Sequence, residues 1–569
     1  MVKDLYPPYE SVPAEWLVSP DQQPEYLDAR SGPPAGEMNL TDYLVDRHVR
    51  GGRGAHVAVH LFGEDVSYTY AQLAEASHRL ALGLSRLGVV PGDRIAVRST
   101  NRPEATIAFL AAWRLGAIGV LVPATARRDE LRFFLNDTWA KVLVIANGQA
   151  SGIAEFEALA RSQVASVEHV IAFPDSRGTD HLSWADLLAD DDPASDWPTY
   201  SPDALAVIWH TGGTTGTPKA CYHTAWRLIL AAEHTATGYG ITEDDVHLFP
   251  APIGHAAGWL SRLTFSLTRG ITQVEIEEFS NPENILRAVD QYQVTWLMAM
   301  GTSWSQMLAV HERQPGTFDL SSVRRAYAPF ITNNGEWLHR AWRRHGLDLL
   351  NPVGSTAFAA WFFIPPSDGS PPPMCVGRPV DGWEARLVVP QHAPLTDVAP
   401  GEIGQLAVRG VTGLTYWNRP ELQQRDIREG WTVVDDLFRV GEEDGQYWYM
   451  GRSDMMISPG GHKVAPVEVE EALSAHPSVA HVAVTGAPDP SRGEIVMGWV
   501  VLADGFEPSE ELRAELQAHV KARLAPYKYP RRIAFMDELP RDPLGKIVMK
   551  QLLTWAKSSE PVPGEQSTT

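Results

Sequence analysis

The chain has 569 residues, of which 44% are hydrophobic and 21% charged, and its 48 basic and 70 acidic residues give a net charge of -22. One hydrophobic core rarely organises so long a chain, so we expect at least two domains. The negative charge argues against non-specific binding to nucleic acid, because phosphate backbones attract the opposite sign. Two cysteines, Cys221 and Cys375, are too few for a disulfide framework or, by themselves, for a zinc site.

The sequence also carries no signal for secretion or for membrane insertion. Its first residues, MVKDLYPPYESVPAEWLV, place prolines and acids where a signal peptide would need a continuous apolar run. The longest apolar stretch, Thr106 to Val122, contains Arg114 and is shorter than a membrane span usually needs. We interpret it as a buried helix, a turn and a strand, and we expect a cytoplasmic protein without a membrane partner.

From about residue 42 to residue 350, helical patterns alternate with short apolar runs. The segment YAQLAEASHRLALGLSRLG precedes DRIAVRS, and the helical NPENILRAVDQY precedes VTWLMAM. Such alternation predicts crossover units on largely parallel sheets, an α/β fold.

Residues 208–219 read IWHTGGTTGTPK, a Gly- and Thr-rich run that makes a poor core element but a good anion cradle. Backbone N–H groups, Thr hydroxyls and a terminal lysine can all face phosphate oxygens. The run follows an apolar strand pattern and precedes a helical pattern from Ala225 to Ala236, so we predict a strand, a loop and then a helix. The candidate phosphate-binding residues are Thr211, Gly212, Gly213, Thr214, Thr215, Gly216 and Lys219. The alternative is a solvated Gly/Thr hairpin or linker.

The last third of the chain changes character. After about residue 370 short β-like runs predict a smaller β-rich subdomain, and after GRSD at 451–454 a compact α+β pattern begins. We therefore predict an N-terminal core over residues 1–451, a C-terminal domain over 452–557 and a disordered tail over 558–569.

Five motifs, taken in order, resemble those of the adenylate-forming superfamily. They are the Gly/Thr run, GSTAF at 354–358, GWTVVDDL at 430–437, GRSD at 451–454 and LPRDPLGKI at 539–547. That superfamily contains acyl- and aryl-CoA synthetases, nonribosomal adenylation domains and luciferases. The segment FRVGEEDGQYWYMGRSDMMISPGGHKVAPVEVEEAL looks closest to benzoate-type, 2-aminobenzoate-type and medium-chain acyl-CoA ligases. The resemblance implies a large N-terminal domain of two mixed sheets plus a β-rich subdomain, joined by a hinge to a small mobile α+β domain.

The resemblance also implies a two-step reaction and assigns roles to residues. A carboxylate attacks the α-phosphate of ATP to give an acyl-adenylate, and then a thiol, commonly that of CoA, displaces AMP. Catalytic roles fall on Lys546, Thr356 and His255, and nucleotide-binding roles on Ser355, Asp436 and Arg452 in addition to the Gly/Thr loop. Asp454 matches the hinge, and Gly460 and Gly461 match the loop that lines the thiol tunnel.

Each of these residues also has a plain structural interpretation. Asp436 could be a solvated turn acid, Arg452 could form a surface ion pair, and Gly460 and Gly461 could merely make a turn. His255 could be a buried histidine bonded to a backbone carbonyl instead of a group at the substrate pocket. Four aromatic residues could form a slot for a flat ring or could belong to the core: Trp259, Phe330, Trp361 and Phe362.

The chain departs from the family pattern at three motif positions. Ala357 stands where relatives have a glutamate that helps to hold Mg²⁺, Val434-Asp435 precede Asp436 in place of Thr-Gly, and Gly212 replaces a serine. We assign no residue of this chain as a metal ligand, although ATP and Mg²⁺ are the expected cofactors, with CoA as the expected thiol.

Three functions fit these observations, and the oligomeric state is left open. The leading hypothesis is activation of an aromatic, or amino-aromatic, carboxylic acid as its adenylate, followed by thioester formation with CoA or a carrier thiol. One alternative is a diazotase that uses ATP and nitrite on an aryl amine, and the other is a catalytically silent nucleotide-binding homologue.

Overall fold

The computed structural model describes residues 12–27, 36–146, 153–174, 182–189, 196–211, 218–329, 335–365, 375–390, 394–459, 464–541 and 547–558. Within them the strands, in chain order, are β1 (Val57–Leu61), β2 (Val66–Thr69), β3 (Arg94–Ser99), β4 (Ile118–Pro123), β5 (Val142–Ala146), β6 (His169–Phe173), β7 (Leu182–Ser183), β8 (Leu205–Thr211), β9 (Lys219–Thr224), β10 (Val246–Leu248), β11 (Thr272–Glu275), β12 (Trp296–Met298), β13 (Arg325–Tyr327), β14 (Leu349–Leu350), β15 (Val353–Ser355), β16 (Ala360–Ile364), β17 (Cys375–Pro379), β18 (Trp383–Val388), β19 (Ile403–Gly410), β20 (Ile427–Arg428), β21 (Trp431–Val440), β22 (Tyr447–Arg452), β23 (Val479–Asp489), β24 (Gly493–Leu502) and β25 (Arg532–Phe535).

The α-helices of the described residues are α1 (Tyr70–Arg86), α2 (Pro103–Arg114), α3 (Arg128–Thr138), α4 (Ile153–Gln163), α5 (Trp184–Leu188), α6 (Ala225–Gly238), α7 (Ala256–Trp259), α8 (Leu267–Arg269), α9 (Pro282–Tyr292), α10 (Gly301–Arg313), α11 (Gly335–Arg343), α12 (Pro420–Asp426), α13 (Pro466–Ser474), α14 (Glu510–Lys521) and α15 (Met549–Lys557). The 3-10 turns of the described residues are Ala14–Trp16, Pro20–Gln22, Thr356–Phe358 and Ser453–Met455. The π-helical segments are Asp42–Asp46, Val49–Arg53 and Leu260–Ser266.

Two seven-stranded sheets form the larger part of the molecule. Sheet A has the order β7-β6-β5-β3-β4-β8-β9, and sheet B has the order β14-β13-β12-β10-β11-β1-β2. All neighbours in each sheet run parallel except the last pair, β8 with β9 and β1 with β2. Strands β3 and β5 are buried along their whole length, as expected when helices cover both faces of a parallel sheet. The predicted α/β fold is confirmed.

Two predicted segments are confirmed, the apolar stretch from Thr106 to Val122 and the helical pattern that begins at Tyr70. The apolar stretch from Thr106 to Val122 is a buried helix (α2), a turn and a strand (β4). Helix α1 begins with a capping box, in which the Thr69 hydroxyl accepts from the Gln72 N–H and the Gln72 side chain accepts from the Thr69 N–H.

A third and a fourth sheet complete the structure. Sheet C is antiparallel with the order β15-β16-β17-β22-β21-β19-β18, and β20 pairs with β21. Sheet D contains β23, β24 and β25, covered by α13, α14 and α15. The predicted β-rich subdomain corresponds to sheet C, and the predicted boundary at residue 451 falls within the last two residues of β22.

The described ranges include only the first residue of the predicted tail. Ser558 is described, and residues 559–569 lie outside the described residues. Within the described ranges, no helix combines the length and the apolar character needed to cross a bilayer.

Candidate functional site

The Gly/Thr run connects two antiparallel strands. Thr211 ends β8 and Lys219 begins β9, and the two residues are register partners, with the Thr211 hydroxyl donating to the Lys219 carbonyl at 3.3 Å. The helix predicted from Ala225 to Ala236 is confirmed as α6 (Ala225–Gly238), but the prediction did not include β9, which lies between the loop and that helix. Thr211 and Lys219 are brought together, whereas Gly212, Gly213, Thr214, Thr215 and Gly216 lie outside the described residues.

A buried histidine joins this hairpin to the second predicted phosphate-binding motif. His223, on β9, is 3% exposed, and its Nε2 atom donates to the Thr356 carbonyl at 3.3 Å. Burial lowers the pKa of His223 to about 4, so the ring is neutral at pH 7 and Nε2 carries its hydrogen. The Ser355 hydroxyl accepts from the Ala357 N–H at 3.2 Å and caps the 3-10 turn Thr356–Phe358. Ser355 and Thr356 are both partly exposed, so their hydroxyls can reach a ligand.

The same turn contains the position at which the resemblance implies a metal-holding glutamate. Ala357, at the position where the family resemblance implies a glutamate, is 7% exposed and offers only a methyl group. The described residues contain no group of three or more His, Cys, Asp and Glu side chains that could hold a metal ion. The turn Thr356–Phe358 therefore supplies no carboxylate to a Mg²⁺ ion.

Asp436 and Arg452 face each other across β21 and β22 as register partners. The Tyr449 hydroxyl, also on β22, donates to Asp436 Oδ1 at 3.3 Å, and Arg452 Nη2 lies 3.5 Å from Asp435 Oδ2. Removal from water, together with the Asp436 carboxylate, raises the pKa of Tyr449 well above its usual range, so the phenol keeps its proton. The antiparallel pairing thus places a carboxylate, a phenol and a guanidinium in one patch.

The backbone at the end of β22 supports this patch. Gly451, directly before Arg452, has φ of +103°, a conformation that residues with a Cβ rarely adopt. A register shift between Leu437 and Phe438 interrupts the ladder beside it. Such an irregularity re-aims side chains at the end of a strand.

His255 is exposed and caps α7, with its Nδ1 accepting from the Ala257 N–H at 3.3 Å. The alternative of a buried histidine bonded to a carbonyl is therefore wrong. The segment is packed tightly, because a Cβ on Gly258 would meet the Pro252 carbonyl oxygen at 2.2 Å.

A buried cation fixes the chain on both sides of His255. Arg262 donates through Nη1 to the Gly258 carbonyl at 2.9 Å and through Nη2 to the Phe249 carbonyl at 3.2 Å. Its Nε lies 3.9 Å from Glu275, which is fully buried. Burial lowers the pKa of Arg262 to about 10 and raises that of Glu275 to about 7.

Three of the four aromatic residues proposed for a ring slot belong to the core. Trp259 is fully buried, and its ring centroid lies 5.3 Å from that of Trp209 and 5.7 Å from that of Trp113. Trp361 and Phe362 are 3% and 1% exposed. Phe330 lies outside the described residues.

The remaining predicted residues belong to the C-terminal part of the chain. Asp454 lies in the turn Ser453–Met455 that follows β22, and its side chain is outside what the structure describes. Gly460, Gly461 and Lys546 also lie outside the described residues, so their roles stay predictions.

Sequence reasoning missed His223 and Tyr449. Tyr449 lies in the segment that carries the resemblance but was not singled out there, and His223 lies in no quoted motif beyond the hairpin strand. The register of β21 and β22 brings Tyr449 to Asp436, and the packing of β9 against the turn Thr356–Phe358 brings His223 to Thr356.

Comparison with known proteins identifies the family of the chain. Residues 45–417 match the AMP-binding enzyme family, and residues 468–546 match the AMP-binding enzyme C-terminal domain. A benzoate–CoA ligase from Thauera aromatica is 31% identical, over 91% of this chain and 97% of that protein. An acetyl-coenzyme A synthetase from Pyrobaculum arsenaticum is 29% identical, over 99% of this chain and 90% of that protein.

A solved structure gives the same result at the level of the fold. The anthranilate CoA ligase AuaEII in complex with anthranoyl-AMP superposes with a TM-score of 0.82 at 27% identity, covering 92% of this chain and 98% of that one. The family matches span most of the chain and follow the order of the motifs. The chain therefore belongs to the AMP-binding enzyme family, the adenylate-forming superfamily that its motifs resemble, and is an AMP-forming ligase of the acid–CoA type.

Proposed function

We propose that this enzyme activates an aromatic carboxylic acid with ATP and transfers the acyl group to CoA. The observation that carries the nucleotide half of the proposal is the pairing of Asp436 with Arg452, with the Tyr449 hydroxyl donating to the carboxylate. The choice of an aromatic acid is supported by two similar proteins, a benzoate–CoA ligase and an anthranilate CoA ligase.

In the first step a carboxylate oxygen of the acid attacks the α-phosphorus of ATP, and pyrophosphate leaves. Asp436 is an acceptor-only group with two oxygens, suited to the two ribose hydroxyls. The hydroxyls of Ser355 and Thr356 donate to α-phosphate oxygens, and Lys219 offsets charge on the β- and γ-phosphates. Because no covalent bond to the protein is needed, positioning and electrostatic stabilisation provide the rate enhancement.

Lys546 bridges the attacking carboxylate and the α-phosphate in this proposal. In the second step the CoA thiol attacks the acyl carbon and AMP leaves, with Gly460 and Gly461 lining the approach of the thiol. The small domain, hinged at Asp454, presents these two groups in turn.

The nature of the acid is the part of the proposal that most needs a test, because the acetyl-coenzyme A synthetase relative is nearly as similar as the benzoate–CoA ligase. Protein, ATP, Mg²⁺ and CoA would be incubated in parallel with benzoate, 2-aminobenzoate, 4-hydroxybenzoate, cinnamate and acetate, and the products measured by mass spectrometry. We expect AMP and an aryl-CoA, with kcat/KM at least tenfold above that for acetate. Acetyl-CoA as the main product would contradict the aromatic assignment.

The nitrite-dependent and the silent alternatives gain no support from these relatives. In the panel above, ATP binding without AMP for every acid would indicate the silent alternative, and two further arms test nitrite and Lys546. Nitrite replaces CoA in one arm, and a diazonium or its deaminated product there would identify a diazotase.

In the other arm Lys546→Ala is compared with Lys550→Ala, which changes an exposed lysine on α15. We expect a loss of about a thousandfold or more in adenylate formation for Lys546→Ala alone, with ATP binding nearly unchanged. Equal adenylate formation in both variants would remove Lys546 from the mechanism.

A further inference from the structure

The residue that precedes the Gly/Thr loop is held in a buried polar network. His210 lies next to the end of β8, and its Nε2 is 3.1 Å from Asp137 Oδ2, while Arg419 Nη2 donates to Asp137 Oδ1 at 2.6 Å. The side chains of His210, Asp137 and Arg419 are 4%, 10% and 23% exposed. We call these three residues the His210–Asp137–Arg419 network.

This network joins three elements that are far apart in sequence. Asp137 lies in the last turn of α3, and Arg419 directly precedes α12. The Trp417 indole donates to the Asp137 carbonyl at 3.0 Å, and the Trp417 N–H donates to the Ala220 carbonyl at 2.9 Å. The segment before α12 is thus bonded to α3 and to β9, the strand that receives the chain after the loop.

Asp137 is the group that fixes the orientation of the His210 ring. Burial alone would raise the pKa of Asp137, but the hydrogen bonds from His210 and Arg419 outweigh it and lower the pKa, so the carboxylate is ionised and only accepts. Nε2 of His210 must then carry a hydrogen. Nδ1 of His210 is buried and has no hydrogen-bond partner in the described structure. The ring of Phe134 packs against the His210 ring, with 4.6 Å between their centroids.

The position of His210 gives this fixation a consequence for the loop. Successive side chains of a strand point to opposite faces, so holding His210 against α3 directs Thr211 to the other face of sheet A. Thr211 is the first residue of the candidate phosphate-binding run, and it pairs with Lys219 across the hairpin. The position of Thr211, at which the chain leaves β8, therefore depends on how firmly His210 is held.

We propose that His210, held by Asp137 and Arg419, is a positioning residue for Thr211 and its partner Lys219, the two described residues of the candidate triphosphate site. The proposal rests on the proposed function, because it assigns the loop to the ATP phosphates. Loss of the His210–Asp137 hydrogen bond weakens ATP binding and leaves the interaction with the acid and with CoA unchanged.

The test compares ATP affinity in three variants by calorimetric titration with ATP in Mg²⁺-containing buffer, without acid or CoA. His210→Leu removes the donor, whereas His210→Gln keeps a donor near the position of Nε2. The matched control is His169→Leu on β6 of the same sheet, where Nε2 of the histidine bonds the Leu87 carbonyl at 3.1 Å. We expect ATP affinity to fall tenfold or more in His210→Leu, and to stay within threefold of the wild type in His210→Gln and His169→Leu.

Two results would overturn the proposal. One is an ATP affinity in His210→Leu within twofold of the wild type. The other is an equal loss in His169→Leu, which would indicate a general effect of weakening sheet A. If His210→Leu does not fold, Asp137→Asn carries the same comparison, because it keeps the buried shape and removes the charge. Since no acid is present, a failure to form any acyl-CoA leaves this result unaffected, and the two proposals fail separately.

Discussion

Glu470 ties the first helix after β22 to sheet D through a buried carboxyl group. It lies on α13, is 5% exposed, and accepts a hydrogen bond from the Val484 N–H of β23 at 2.9 Å. Burial raises the pKa of Glu470 from 4.5 to about 8, partly offset by that hydrogen bond. At pH 7 the protonated acid therefore predominates.

The sign of the stability effect follows from this raised pKa. The folded protein binds a proton at Glu470 between pH 4.5 and about pH 8 that the unfolded chain releases. The contribution is fully present below pH 4.5 and is lost as the pH rises through 8. At about 1.4 kcal/mol for each pH unit, the whole interval corresponds to about 5 kcal/mol.

The variant Glu470→Gln isolates this contribution, because the amide keeps the acceptor and the shape but cannot ionise. Urea unfolding would be followed at pH values from 5 to 9, with hydrogen exchange of β23 to locate the effect. We expect the stability of Glu470→Gln relative to the wild type to increase by several kcal/mol across this range. The control Glu511→Gln changes an exposed glutamate on α14, and we expect its profile to follow the wild type. A difference between Glu470→Gln and the wild type that stays constant within about 1 kcal/mol would refute the reasoning.

Three further substitutions test the site. Tyr449→Phe removes the donor to Asp436. Since a hydrogen bond to a charged group contributes about 1.5–3 kcal/mol, we expect ATP affinity to fall about tenfold or more, with an unchanged KM for the acid. An unchanged ATP affinity would show that Tyr449 does not act on nucleotide binding. His223→Phe keeps the ring but removes the donor to the α-phosphate turn, so kcat for adenylate formation should fall at least tenfold in single-turnover measurements, and full activity would contradict this coupling. Arg262→Lys cannot hold both carbonyls beside His255, so we expect a several-fold higher KM for the acid and an unchanged ATP affinity, whereas a loss confined to ATP would contradict its placement.

Local patterns were sufficient to predict the repeating α/β units. Helix α9 begins at Pro282 with Asn281 as its N-cap, within the predicted NPENILRAVDQY, and β12 covers Trp296–Met298 within VTWLMAM. Both have the periodicity and end signals that specify an element from its own residues. Strand β9 has neither, because KACYHT mixes polar and apolar residues and becomes a strand through pairing with β8.

Contacts between distant residues could not be predicted in the same way. The resemblance singled out Asp436 and Arg452, but their apposition depends on the register of β21 and β22, including its shift between Leu437 and Phe438. His210 and Asp137 are 73 residues apart, and no spacing rule connects them. Such pairs are set by topology, which a single sequence does not encode in any local window.

The hairpin geometry of the Gly/Thr run also changes how phosphate charge is stabilised. Helix α6 begins at Ala225, after the six residues of β9, so its N-terminus lies about 20 Å along the strand from the loop at about 3.3 Å per residue. The partial positive charge of a helix N-terminus acts only within about one turn, so α6 contributes little at the loop. In the proposed phosphate site, the charge is therefore balanced by the Lys219 ammonium and by Thr hydroxyls and N–H groups of the loop. Because those groups are effective only in one defined arrangement, we expect the anchoring of Thr211 and Lys219, through His210 on β8 and His223 on β9, to contribute to phosphate binding.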